Sequence, residues 1–250
     1  MGTGFAGQTA VVTGATSGIG RAIALALADE GATVCAVGRQ PGSLRELADA
    51  GLLAYPADLR HDDAVEVLVA RLFHDHPAID VLVHGAGDWS RGTVADACVE
   101  ELDRLHRLNV RVPFRLTQAL LPRLRAGPGQ VVFVNSSAGL HAGAGTSQYA
   151  ATKHALKAIA DSLRSEVNGD GVRVLSVFPG RTATPMQRRV CRAEGRPYQA
   201  APLLQPSDVA AAVVGALALP RTAAASSALT GRTCTVEPSR RTTSASRCRG

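Results

Sequence analysis

Aromatic residues are scarce in this 250-residue chain: Phe, Trp and Tyr make up 4% of it, with a single Trp. Its core must therefore be built from Ala, Val, Leu and Ile. No window approaches the roughly 18 uninterrupted apolar residues of a membrane-spanning helix, so no membrane association is expected. Met1-Gly-Thr-Gly-Phe-Ala6 has no basic segment ahead of an apolar one, and no secretory leader is expected. Ala6 also stands where an N-myristoylation pattern needs Ser or Thr. The five cysteines (Cys35, Cys98, Cys191, Cys234 and Cys248) are scattered with no C-x-x-C pair. That pattern argues against a disulfide framework or a zinc site, and for reduced thiols in the cytoplasm. No metal is expected.

What is present is ordinary for a soluble globular protein. Apolar residues are 46% and mean hydropathy is +0.06, and the length suits one large α/β domain with a buried core. The net charge of +6 would suit nucleic acid, but four arginines (Arg240, Arg241, Arg247 and Arg249) lie beyond Pro238 with no acid among them. Without those four, 23 basic residues face 21 acidic ones. The tail lacks stacking aromatics, so a solvated, disordered segment over 238–250 is favoured over a nucleic-acid arm.

In chain order, a β-branched run from Thr9 to Thr13 precedes Gly14, Gly18 and Gly20, and helical periodicity from Arg21 to Glu30 stops at Gly31. A strand from Thr33 to Val37 completes a β-α-β unit with glycines at its first turn. Such glycines permit a tight turn, backbone approach to a pyrophosphate, and a helix N-terminus facing the phosphates. Its placement between strand and helix makes this motif specific. At the end of the second strand, NAD-dependent enzymes place an acid for the ribose 2′-hydroxyl. Here stand Gly38 and Arg39, a guanidinium able to pair with a 2′-phosphate, so NADP(H) is favoured over NAD(H).

The alternation continues with strands at Leu52 to Ala54 (closed by Ala57, Asp58 and Leu59), Val81 to Val83, Val131 to Val134 and Val172 to Val177. Helices are expected at Asp62 to His74, Ala95 through Asn109 and Pro113 to Leu124, and Gln148 to Val167. Residues 185–208, broken by five structure-punctuating residues, read as an irregular substrate lid. Ser207-Asp208 would cap a helix to about Leu219, and Leu229 to Val236, entered through Thr230-Gly231, would be a last strand. The pattern predicts a single doubly wound Rossmann-type parallel sheet of about seven strands with helices on both faces, over residues 1–237.

Tyr149 and Lys153 share a helix face at i and i+4, with Ser136 and Ser137 just after an apolar strand. Together with the glycine turn, these features resemble the short-chain dehydrogenase/reductase family over roughly residues 8–237. The family's Thr-Gly-x-x-x-Gly-x-Gly is Thr13 to Gly20. Its Asn-Asn-Ala-Gly is His84-Gly85-Ala86-Gly87, its helix asparagine is Asn109, and its Tyr-x-x-x-Lys is Tyr149 and Lys153. Its Pro-Gly-x-x-x-Thr is Pro179-Gly180 through Thr184. The family's spacing selects Ser136 over Ser137 as the catalytic serine.

The resemblance implies hydride transfer between NADP(H) and a carbonyl or secondary alcohol of a small organic substrate, most simply a ketoreductase. Tyr149 would be the proton donor, lowered in pKa by Lys153 and the oxidised nicotinamide. Ser136 would hold the substrate oxygen, and Asn109 a relay water behind Lys153. Cofactor contacts are expected from Gly14, Thr16, Ser17, Gly18, Ile19, Gly20, Arg39, Asp58, Leu59, Gly85, Ala86, Gly87, Asn109, Tyr149, Lys153, Pro179, Gly180, Thr182 and Thr184. Substrate contacts are expected from Ser136, His141 and Tyr149, with Trp89 and Tyr198 as further lining candidates. Gly85 departs from the family asparagine that braces the central strands, and His84 is read as a buried structural residue. An NAD-dependent alcohol dehydrogenase and a non-catalytic nucleotide-binding protein are the rival readings. A homodimer or homotetramer through the helices at about 95–124 and 148–167 follows from the resemblance.

Overall fold

The computed structural model describes residues 4–220. The strand expected at Leu229 to Val236 and the arginine-rich tail lie outside the described residues. Six strands, β1 (Thr9–Thr13), β2 (Thr33–Gly38), β3 (Leu53–Pro56), β4 (Val81–His84), β5 (Gln130–Val134) and β6 (Arg173–Val177), form one parallel sheet. Their order is β3-β2-β1-β4-β5-β6. The chain begins in the middle and winds outward first one way, then the other. The reversal falls between β1 and β4, where Thr13 pairs with His84, and such a crevice at the carboxyl ends of the strands is where open α/β sheets bind ligands.

Side chains alternate along each strand, so every strand feeds two cores. Val11, Cys35, Leu82, Val131 and Phe133 point to the face covered by α3 (Asp62–Asp75), α5 (Val112–Arg125) and α6 (Ser147–Val167). Ala10, Val12, Val34, Val83 and Val132 point to the face covered by α1 (Gly18–Asp29), α2 (Pro41–Asp49) and α8 (Pro206–Ala218). Each fully buried Leu or Ile contributes about 1.5–3 kcal/mol relative to exposure. Small aliphatic side chains thus make up most of both cores, with Phe133 and Tyr55 in one and Phe5 in the other, as the near-continuous apolar runs of a doubly covered parallel sheet require.

Several elements differ from the sequence expectation. The helix expected over 95–124 is divided into α4 (Val99–His106), a π turn (Arg107–Arg111) and α5. Residues 185–208 are not irregular throughout. α7 (Pro185–Ala193) forms because Thr184 caps it, its hydroxyl accepting from the Gln187 N–H at 3.1 Å, and Pro185 supplies a pre-set first position. α8 starts one residue before Ser207, and its cap is Gln205, whose N–H donates to Asp208 Oδ2 at 2.9 Å. α2 was not anticipated, because Pro41-Gly42 reads as a turn and only Leu44 and Leu47 are buried in this short helix. Among the described residues, no helix is long and apolar enough to cross a membrane.

Candidate active site

The floor of the crevice is made of backbone packed too closely for side chains. A Cβ on Gly14 would lie 2.7 Å from the Ala86 nitrogen, and one on Gly20 would lie 2.4 Å from the Gly14 oxygen. Gly14 and Gly18 also take φ of 68° and 55°, the left-handed region glycine occupies without strain. The turn therefore lies flat on the β4 loop, and α1 begins immediately above it. Ser17 at the N-cap is exposed and makes no side-chain cap bond, and the first turn carries no acid. The Thr16 side chain lies against Gly38, where a Cβ would meet its Cγ2 at 2.3 Å, so the turn also contacts the end of β2. Ile19 is half-buried beside it.

Thr13 ties the turn to the neighbouring strand. Its hydroxyl donates to Val83 O at 3.2 Å and accepts from the N–H groups of Gly85 (3.1 Å) and Ala86 (3.2 Å). Gly85 itself has no room for more: a Cβ there would meet Thr13 O at 2.6 Å. A Cβ on Gly87 would lie 3.2 Å from Asn109 Oδ1 and 3.8 Å from Lys153 Nζ, so these two polar atoms border one gap above that glycine.

Ser136, Tyr149, Lys153 and Asn109 arrive from three elements. Ser136 follows β5, its Oγ accepts from Ala138 N–H at 3.1 Å, and it lies near enough to the Tyr149 phenol to influence its pKa. Tyr149 and Lys153 project from the first turns of α6, both buried, with Nζ 5.9 Å from the phenol ring centroid. Lys153 Nζ donates to Val134 O at 3.1 Å. Asn109 sits in the π turn, 1% exposed, donating from Nδ2 to Asp88 O (2.9 Å) and Thr152 Oγ1 (3.0 Å) and accepting at Oδ1 from Asp88 N–H (2.8 Å). π turns recur at functional sites because the extra residue redirects a side chain out of the helical face.

Electrostatics here differ from the expectation that Lys153 lowers the tyrosine. Burial raises the Tyr149 pKa, with the Ser136 hydrogen bond acting against it and the Asp88 charge adding to it. Burial likewise pulls Lys153 down to about 8. Loss of hydration is the largest cause at both residues. The phenol, protonated at neutral pH even at its ordinary pKa near 10, is stabilised further in that form.

Asn135 was missed from sequence, although it directly precedes Ser136. Its amide donates to Lys153 O at 3.1 Å and accepts from the Ser136 N–H at 2.9 Å, binding the two halves of the site together. Thr152 was missed too; its hydroxyl donates to Tyr149 O at 2.8 Å while receiving Asn109. Ser137 is exposed, consistent with a secondary place.

The other expected contacts fall around the same crevice. Pro179 O accepts from Ser137 N–H at 3.0 Å, and the Thr182 hydroxyl donates to Gly180 O at 3.1 Å. Thr184 reaches the glycine turn, its Cγ2 being 3.0 Å from where a Gly18 Cβ would lie. Arg39 is exposed at the end of β2, and its charge is felt at Asp58. Asp58 is committed elsewhere: Arg60 Nε donates to its Oδ1 at 2.9 Å and Nη2 to Oδ2 at 2.5 Å, holding its pKa at about 2. Leu59 buries its side chain in the core, leaving only backbone for a ligand. His141 is exposed, and its ring takes no part in the bonds that order Ser136, Tyr149 and Lys153. Trp89 and Tyr198 are half-buried, the latter under Arg188 at 4.7 Å.

This fold agrees with that of known proteins. A family model for the short chain dehydrogenases matches residues 8–195. A short-chain type dehydrogenase/reductase of Sinorhizobium fredii is 35% identical over 219 residues, covering 85% of this chain and 86% of its own. A short chain dehydrogenase from Shigella flexneri, complexed with NADP, superposes with a TM-score of 0.77 at 29% identity, covering 83% of this chain and 90% of that one. A 3-ketoacyl-(acyl-carrier-protein) reductase from Brucella melitensis, complexed with NADH, gives a TM-score of 0.79 at 26% identity, covering 90% and 98%. The chain is an oxidoreductase belonging to the short-chain dehydrogenase/reductase family.

Proposed function

We propose that this protein is an NADP(H)-dependent reductase interconverting a carbonyl and a secondary alcohol on a small organic substrate. The observation that carries the reading is the convergence of Ser136, Tyr149 and Lys153 beside a glycine floor that side chains would fill. That floor, the unblocked first turn of α1 and Thr184 above Gly18 fit a dinucleotide, with the pyrophosphate at the helix N-terminus. Arg39, with no acid at the end of β2, favours the 2′-phosphorylated coenzyme. NADP in the Shigella flexneri neighbour supports this, while NADH in the Brucella melitensis one keeps NAD(H) as the second reading.

The nicotinamide, when bound, supplies or accepts the hydride. Reduction builds negative charge on the carbonyl oxygen, and Tyr149, its protonated form favoured by burial, donates its proton there. The Ser136 hydroxyl hydrogen-bonds the same oxygen and stabilises its charge. Lys153, with its pKa near 8, is largely ammonium at neutral pH and compensates the phenolate once the proton has left. By the family resemblance, Asn109 would hold a water that restores the proton through Lys153, both side chains lying close to Gly87. Residues 1–237 form the domain in this reading, with 238–250 as a basic tail. The free thiols of Cys35 and Cys191 support a cytoplasmic setting. Exposed Val99, Leu102 and Phe114 on α4 and α5 support a homodimer or homotetramer through those helices.

The test compares wild type with Tyr149→Phe on a panel of ketones and alcohols, following NADPH and NADH absorbance. The variant is expected to lose on the order of 10² to 10⁴ in rate while still binding NADPH. Undiminished turnover refutes the assignment of Tyr149. A clear NADH preference overturns the role given to Arg39.

A further inference from the structure

Asp88, the residue after Gly87, takes no part in the proposed chemistry yet touches three elements. Its backbone N–H and carbonyl clasp the Asn109 side chain at 2.8 and 2.9 Å. Its carboxylate is paired with Arg104 of α4 and, at 2.5 Å, with Arg189 of α7, and it accepts from Trp89 N–H at 2.8 Å. Arg189 also donates to Trp89 O at 3.0 Å. The side chain of Asp88 is 17% exposed and that of Arg189 51%, so the pair lies partly open to solvent and is sensitive to salt.

The same loop reaches the lid a second time with reversed polarity. Arg91 lies 3.3 Å from Glu194, which Arg181 also grips at 2.6 and 2.7 Å. An acid on the loop meets a base on the helix, then a base on the loop meets an acid just past the helix. A slip of the lid along the loop would set like charges against each other, so the alternation selects one register. The stems of the lid are pinned together where Ala183 N–H donates to Leu204 O at 2.8 Å and Leu204 N–H to Arg181 O at 3.2 Å.

We propose that Asp88 is a positioning residue: its carboxylate latches α7 over the crevice, while its backbone holds Asn109, so lid closure and the asparagine are set from one point. This rests on the reductase reading for its consequence in catalysis, but the latch itself is independent of it. Asp88→Asn isolates the carboxylate, because the backbone bonds to Asn109 do not need it.

The test combines amide hydrogen exchange over 185–193 with steady-state kinetics using NADPH. Asp88→Asn and Arg189→Met are each expected to speed exchange of the α7 amides about ten-fold and to raise KM for the carbonyl substrate by a similar factor, with kcat changed less than about two-fold. Arg189→Lys should restore most of the loss, and the double variant should be no worse than either single one, as expected of two partners in one interaction. Raising salt from about 0.05 to about 0.5 M should weaken the latch in wild type and leave the variants unmoved. Unchanged α7 exchange in both single variants, or additive effects in the double one, overturns the latch. A wild type that reduces no carbonyl compound would overturn the reductase reading instead, and the exchange result would still decide the latch.

Discussion

His84 lies at the end of β4, stacked on Phe133 at 4.9 Å, with Nε2 2.8 Å from the Thr117 hydroxyl and Nδ1 buried without a hydrogen-bond partner. Burial pulls its pKa from 6.5 to about 3, so the native state holds it neutral. The unfolded chain binds a proton at 6.5 and the folded one only near 3, so folding stability falls as pH drops through that window. The slope should reach about 1.4 kcal/mol per pH unit. His84→Gln should therefore flatten the stability profile between pH 6.5 and about 4.5, above the range where carboxylates titrate. Urea midpoints measured across that span check it; parallel profiles would show that His84 does not control the acid limb. The spacing of Tyr149 and Lys153 was readable at this same scale, but their protonation was not. Spacing reports which groups meet, while the sign of a pKa shift depends on how much water the fold removes.

At the scale of elements, the crossing of β1 and β4 answers the question posed by Gly85. The family asparagine expected to brace these strands is absent, and Thr13 ties the loop through Val83 O and two backbone N–H groups. Restoring the asparagine should not help. Gly85→Asn would drive a Cβ to 2.6 Å from Thr13 O and is expected to cost about 1–3 kcal/mol, the usual penalty for overpacking. Thermal unfolding reads this directly, and an unchanged or raised Tm would mean the β1 and β4 loops can part without cost. The π turn and α7 belong to this scale too. Periodicity foresaw a helix through Asn109, but not the extra residue that turns Asn109 toward Asp88 and Thr152. Prolines and Gly195 hid α7, which is capped by Thr184 and ion-paired to a loop 101 residues earlier.

For the whole molecule, the two cores leave some apolar surface unspent. Phe114 on α5 is 52% exposed and Val99 on α4 is 66% exposed. In the homo-oligomer proposed through these helices, Phe114→Glu would place a charge in the interface. Sedimentation should then show a smaller species than wild type, with the fold retained by circular dichroism, because a buried unpaired charge opposes association strongly. An unchanged sedimentation coefficient would place any interface elsewhere.

Ser136 and Asn109 were singled out by the family resemblance, whereas local residue order by itself determined the alternation of strands and helices, the glycine turn and the Tyr149–Lys153 spacing. Each of these depends on period, on turn chemistry or on short fixed spacings that any window of the chain displays. Only the tertiary structure decided that Asn135 and Thr152 lock the site, that burial shifts the pKa values of Tyr149 and Lys153, and that Asp88 meets Arg189. Those depend on contacts between segments far apart in the chain and on the exclusion of water, which exist only once both faces of the sheet are covered.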